Sequence, residues 1–166
     1  CKTIDLLVPV SADIVIEGSR PAALRRRGLG AEDRTGRPGR VWLRVTGHGG
    51  SSSRVAFGDD AAVAGGLVGS GPTGPVFCGD AIADPLTGLE AALAVGDSLR
   101  RGGGEVVEVS MAAVAATYAA LPTGPSYVAR EALPPQPPPL QEPAAALGAD
   151  TTAVIDLVAR RRMVSC

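Results

Sequence analysis

Two β-branched runs separated by one short helical segment constrain this chain more than any other feature. Ala12-Asp13-Ile14-Val15-Ile16-Glu17 is an apolar run closed by Gly18, which predicts a buried strand lying inside a sheet. Pro21 then opens Ala22-Ala23-Leu24-Arg25-Arg26-Arg27, with proline in the first turn and Gly28 as the stop of a short helix. After a glycine-rich loop, Val41-Trp42-Leu43-Arg44-Val45-Thr46 is the clearest alternating strand in the chain. Strand, helix, strand is the unit of a parallel sheet, so the expected fold class is α/β, a Rossmann-like parallel sheet with flanking helices.

The rest of the chain extends this pattern. Gly47-His48-Gly49-Gly50-Ser51-Ser52-Ser53 is a loop following a strand, and the crevice beyond strand C-termini is where open α/β sheets usually bind ligands. Asp59-Asp60 precedes Ala61 to Val68, a weak helix that either aspartate would N-cap, and Gly69 to Pro75 is a turn-rich connection. The strongest helix signal starts with Asp84 as N-cap and Pro85 at the first helical position. It runs through Leu86, Leu89, Leu93 and Gly96 and is ended by Gly102-Gly103-Gly104. Glu105 to Ser110 alternates as a strand, Met111 to Leu121 reads as a helix, and proline-rich Leu133 to Pro143 reads as an extended linker. An amphipathic segment, Asp150 to Arg162, puts Val154, Leu157 and Val158 on one face. The expected organisation is an α/β domain over 1–132, a linker over 133–149 and a helical tail over 150–166.

Composition excludes several function classes. A net charge of −1 argues against nucleic acid as the main partner, because phosphate binding is driven by positive surface and counterion release. No apolar run approaches the roughly 18 to 20 residues of a membrane span. Cys1, Cys78 and Cys166 have no metal-ligand spacing, so neither a zinc site nor a disulfide framework is expected, and reduced thiols in a cytoplasm are the simpler reading. The absence of an initial methionine leads to the expectation of a truncated chain. Aromatic residues are 3% of the chain, so Ala and Val must form most of the core.

Five segments, in order, carry a family resemblance: Ala-Asp-Ile-Val-Ile-Glu-Gly-Ser-Arg-Pro (12–21), Val-Trp-Leu-Arg-Val-Thr-Gly-His-Gly (41–49), Gly-Asp-Asp-Ala-Ala-Val-Ala-Gly-Gly-Leu (58–67), Asp-Pro-Leu-Thr-Gly-Leu-Glu-Ala-Ala-Leu (84–93) and Gly-Gly-Gly-Glu-Val-Val-Glu-Val-Ser-Met (102–111). Together they resemble the central part of class III CoA-transferases of the CaiB/BaiF type. Leu147 to Thr151 also looks like that family's C-terminal end. The resemblance implies a fold incomplete relative to the family, because its first CoA-binding unit has no counterpart before Cys1 and much of its second domain is absent after Leu121. It further implies a homodimer, or a partner chain that supplies the missing segments.

The aspartate of the family's Asp-x-x-Thr-Gly segment is its acyl-accepting nucleophile, and here that position is Asp84. The resemblance thus implies an acyl-CoA:carboxylate CoA-transferase with coenzyme A entering as substrate and no metal. Read locally, Asp84 is simply a helix cap, and Asp80 in Cys78-Gly79-Asp80 is its nearest competitor, with a turn role as the plain alternative. The resemblance places Arg20, in the Ser-Arg-Pro turn, at a CoA phosphate, and Asp60 on the CoA-binding side. Related 2-methylacyl-CoA racemases carry a histidine where this chain has Asp59, a departure that counts against proton transfer by Asp59 and Asp60. His48, the single histidine, reads by default as an exposed loop residue. A racemase-like activity and a non-catalytic CoA-binding or subunit-interaction remnant remain the alternatives to transfer.

Overall fold

The computed structural model describes residues 12–19, 21–33, 37–122, 136, 139 and 143–164. Two compact units are present, Cys1–Leu121 and Pro122–Cys166. The first contains β1 (Ile14–Glu17), α1 (Pro21–Arg25), a 3-10 turn (Ala31–Asp33), β2 (Val41–Thr46), α2 (Gly58–Ala64), β3 (Val68–Gly71), β4 (Gly74–Phe77), α3 (Ala83–Arg100), β5 (Glu105–Ser110) and α4 (Met111–Ala119). The second contains α5 (Thr151–Val164). Most of the proline-rich stretch over 133–143, together with Arg20, Cys1 and Cys166, lies outside the described residues. Cys78 is an exposed free thiol.

The sheet is parallel and ordered β1-β2-β5, with Ile14 opposite Val41 and Val41 opposite Glu105. This is the parallel α/β arrangement expected from the strand, helix, strand succession, and each crossover carries helical structure, as a parallel connection requires. Strand β2 is central and buried along almost its whole length, so its apparent alternation does not separate a wet face from a dry one. Strand β1, expected inside the sheet, pairs only with β2 among the described residues and leaves Ile14 and Ile16 exposed. A β-branched run records strand propensity; which strands pair with it is decided by distant chain.

On one face of the sheet Leu43, Ala91, Val109 and Val114 form a core cluster. A second cluster, Ala61, Ala62, Ala83, Met111 and Ala115, joins the helices, and Val45 packs against both. The stripe expected to bury α3 is corrected by the structure, since Leu89 and Leu93 are 61% and 64% exposed. The buried side carries Ala83, Thr87, Ala91 and Ser98, small residues that let the helix approach the sheet closely. Within it, the Thr87 hydroxyl donates back to the Ala83 carbonyl at 2.6 Å. Small residues also govern the turn before β5: a Cβ on Gly103, whose φ is 63°, would stand 2.5 Å from the Gly39 carbonyl oxygen. The turn-rich connection over 69–75 is an antiparallel hairpin, β3 with β4, whose Gly and Pro content masks the strand signal.

The opposite face holds a buried polar cluster. Glu17 is 2% exposed, and its carboxylate accepts from the Trp42 indole N–H at 2.8 Å and from Arg44 Nε at 3.4 Å. Arg44 Nη2 also donates to Glu32 at 2.8 Å, which ties the 3-10 turn to the sheet. A hydrogen bond from its own backbone N–H, and then the Arg44 guanidinium, hold the Glu32 carboxyl below the usual carboxylate range.

Removing one partner of a buried ion pair costs about 3–5 kcal/mol because the other charge is left uncompensated. Arg44→Met is therefore expected to lower the unfolding free energy by about 3 kcal/mol in urea titrations followed by the fluorescence of Trp42. Adding Glu17→Gln should recover much of that loss; an unchanged midpoint for Arg44→Met alone would show that the pair contributes nothing.

Candidate active site

All three parallel strands deliver their C-terminal ends to one edge of the sheet, at Glu17, Thr46 and Ser110. An open cleft of about 90 Å³ lies there, lined by Gly18 and Ser19 after β1, Thr46 and Gly47 at the end of β2, and the segment from Ser52 to Ala56. This is the position favoured for ligands in open α/β sheets. Three backbone N–H groups in the loop after β2 are satisfied by side chains. Thr46 Oγ1 accepts from Gly49 N–H at 3.0 Å, Glu108 accepts from Gly50 N–H at 2.6 Å, and Ser52 Oγ accepts from Arg54 N–H at 3.2 Å.

Polar atoms in the loops after β1 and β2 lack such a partner. Ser19 Oγ and His48 Nε2 are buried without a hydrogen bond among the described residues, a condition that a bound polar ligand or water relieves. His48 is thus half-buried rather than the exposed loop residue expected. Arg54, which also lines the cleft, is exposed and makes no ion pair among the described residues. The sequence reading passed over both Ser19 and Arg54. A single cation in a serine-rich loop after a strand was the available signal for Arg54.

Beyond Ala56 the chain enters α2 and reaches the aspartates. Neither Asp59 nor Asp60 is the N-cap, since the helix starts at Gly58 with Phe57 in the cap position. Asp60 Oδ2 instead reaches back to the Phe57 N–H at 3.1 Å, the half of a capping box that a third-position carboxylate supplies. Asp59 Oδ1 accepts from the Ala81 N–H at 2.9 Å, across 22 residues of sequence. These bonds give both carboxylates local structural work.

Asp84 differs from the expected cap as well. Helix α3 begins at Ala83 with Ile82 in the cap position, so Asp84 lies inside the first turn, followed by Pro85, where a missing N–H costs nothing. Its backbone N–H donates to the Ala81 carbonyl at 2.9 Å. Its carboxylate is exposed and accepts no hydrogen bond among the described residues. A Cβ built on Gly58 would stand 2.7 Å from Asp84 Oδ2 and 2.5 Å from the Ala81 carbonyl oxygen, so the first turns of α2 and α3 meet through a glycine. Sequence reasoning missed Gly58 because its partner, the turn at Ala81, is remote in the chain. Asp80 is exposed in the turn before α3.

The structure therefore brings Asp59, Gly58, Ala81 and Asp84 together, and keeps Asp60 on its own helix start. No group of three His, Cys, Asp or Glu side chains placed to hold a metal ion occurs among the described residues. No helix there is long and apolar enough to cross a membrane.

The sequence pattern of CoA-transferase family III matches residues 4–148. A search of curated proteins found no match. Among solved structures, a hypothetical protein from Mycobacterium tuberculosis is similar at 30% identity and a TM-score of 0.62, over 70% of this chain and 36% of that one. Its orthorhombic crystal form gives the same values. A CaiB/BaiF family protein from Brucella suis, 23% identical, shares the fold with a TM-score of 0.63 over 72% of this chain and 34% of its own. The chain thus spans about a third of the length of these solved structures.

Any side chain at position 58 meets a backbone carbonyl that cannot step aside. Gly58→Ala is expected to destabilise the first unit by about 1–3 kcal/mol, the usual cost of forcing atoms into a packed contact. Thermal unfolding of the variant tests this; a melting temperature equal to wild type would show that the helix starts separate easily.

Proposed function

This chain belongs to CoA-transferase family III, and we propose that it transfers coenzyme A between an acyl-CoA and a carboxylate, with Asp84 as the covalent acceptor. The observation that carries this reading is the state of the Asp84 carboxylate. It is exposed, uncommitted to any hydrogen bond among the described residues, and held in the first turn of an 18-residue helix. A nucleophile must present a lone pair rather than spend it on a cap. The N-terminal end of a helix also favours negative charge, both on the carboxylate and on an oxyanion developing beside it.

In the proposed cycle an Asp84 carboxylate oxygen attacks the thioester carbonyl carbon, and the C–S bond breaks to release CoA thiolate and leave a mixed anhydride. The thiolate attacks the Asp84 carbonyl carbon, which expels the first carboxylate and gives an aspartyl-CoA thioester. An incoming carboxylate attacks that thioester to form a new anhydride and thiolate. Thiolate attack on the new acyl carbon then yields the product acyl-CoA and restores Asp84. No proton or electron has to be imported, so one carboxylate suffices chemically.

The cleft at the strand ends is the proposed seat of CoA, with the exposed Arg54 guanidinium offered to a phosphate and the buried Ser19 hydroxyl to a polar group of the ligand. Arg20 is kept as a proposed phosphate ligand on the resemblance alone. A racemase-like reading is the weaker one, because Asp59 Oδ1 is occupied by the Ala81 N–H and its companion Asp60 by Phe57. Since the chain spans about a third of the solved structures it matches, the proposal covers action alone or as a subunit of a split enzyme, and in both cases acylation of Asp84 is expected of this chain by itself.

Incubating the protein with an acyl-CoA, quenching the reaction and mapping the peptide that contains Asp84 by mass spectrometry tests the nucleophile. An acyl or CoA adduct at Asp84 that vanishes in Asp84→Asn is expected; with a broad acyl-CoA panel, absence of an adduct from wild type sinks the reading. Separately, Arg54→Ala should weaken CoA binding about tenfold in calorimetry, the lower end for a charge-assisted hydrogen bond, with no loss of fold. Equal affinity would remove Arg54 from the site.

A further inference from the structure

Ala81 has φ 45°, the one non-glycine residue with positive φ among the described residues, and it stands three positions before Asp84. A residue with a Cβ avoids this conformation unless its surroundings hold it there. Two hydrogen bonds flank the strained residue. Its N–H donates to Asp59 Oδ1 at 2.9 Å, and its carbonyl accepts from the Asp84 N–H at 2.9 Å. Gly58, next to Asp59, permits the contact, because a side chain there would overlap both the Ala81 carbonyl and the Asp84 carboxylate.

We propose that Asp59 is a positioning residue for Asp84: by accepting the Ala81 N–H it holds the left-handed turn that sets the direction in which the Asp84 carboxylate leaves α3. The proposal rests on the catalytic reading of Asp84, while its claim about the turn is measurable without catalysis. Asp59 acts here as a hydrogen-bond acceptor, and no proton passes through it. Asn offers the same acceptor oxygen without the charge, and Gly adopts φ > 0 at no steric cost. Both substitutions therefore separate positioning from acid/base chemistry.

The test compares wild type, Asp59→Asn, Asp59→Ala and Asp59→Ala combined with Ala81→Gly, in the full chain. Amide exchange at residue 81 and the rate of adduct formation at Asp84 are measured in each. Asp59→Asn is expected to stay within about threefold of wild type in both, and Asp59→Ala to change both by about tenfold, the scale of one hydrogen bond. Adding Ala81→Gly should restore much of the adduct rate lost in Asp59→Ala. An Asp59→Asn variant as slow as Asp59→Ala, or an exchange rate at Ala81 that ignores Asp59, overturns the proposal.

Poor folding of Asp59→Ala leaves the test intact: loss of Ala81 protection in folded Asp59→Asn overturns the proposal, and protection kept in Asp59→Asn but lost at position 81 in the double variant Asp59→Ala, Ala81→Gly supports it. If wild type forms no adduct, the catalytic reading of Asp84 fails separately. Labelling of Asp84 by a water-soluble carbodiimide and an amine then decides the positioning claim. A labelling rate that shifts with Asp59→Ala and returns with Asp59→Asn supports it, and a constant rate overturns it.

Discussion

The contact between the first turns of α2 and α3 is the constraint on which the site depends. Gly58 lies against the Ala81 carbonyl and the Asp84 carboxylate at separations where no Cβ fits, and Asp59 follows it with a hydrogen bond to the Ala81 N–H. Packing alone would bring two helix starts together without fixing their register. A directed hydrogen bond across 22 residues adds that register, because it is strong only in a narrow range of distance and angle. Behind this contact Ala61, Ala62 and Ala83 are fully buried and form part of the alanine-rich core that holds the helices.

A second constraint acts beside the cleft. Glu17 is buried at the last position of β1, where Trp42 and Arg44 of β2 hold it, and the next two residues are Gly18 and Ser19 of the cleft. Burying a carboxylate is costly, and the indole N–H and guanidinium offset that cost only in one arrangement of the two strands. The same pair that aligns the strands therefore sets the backbone of the cleft. Arg44 extends the restraint to Glu32, so the connection between α1 and β2 is fastened to the strand it precedes.

Small side chains explain why the packing is legible only in part. In α3 the eye goes to Leu86, Leu89 and Leu93 at helical spacing, yet Ala83, Thr87, Ala91 and Ser98 are the buried positions. Alanine and serine carry little hydropathy, so a periodicity weighted by side-chain size selects the wrong stripe when close approach governs the contact. The hairpin of β3 and β4 was hidden for a related reason, since Gly69, Gly71, Gly74 and Pro75 read as turn residues. The candidate positions divide in the same way. Asp84 stood out through the motif that follows it, whereas Gly58, Ser19 and Arg54 acquire significance only from what lies beside them.

By itself the sequence determined the α/β class, most helices and strands of the first unit, the parallel connection and the family, because propensity, turn residues and motif order are local properties. Tertiary structure alone decided that β1 borders β2 only among the described residues, that Asp84 is uncapped and exposed, and that Asp59 bonds to Ala81. Each of these depends on a partner far away in the chain. The physical reason is that a carboxylate near a helix start has two uses, to cap its own helix or to reach another, and the choice is made by what packs against it.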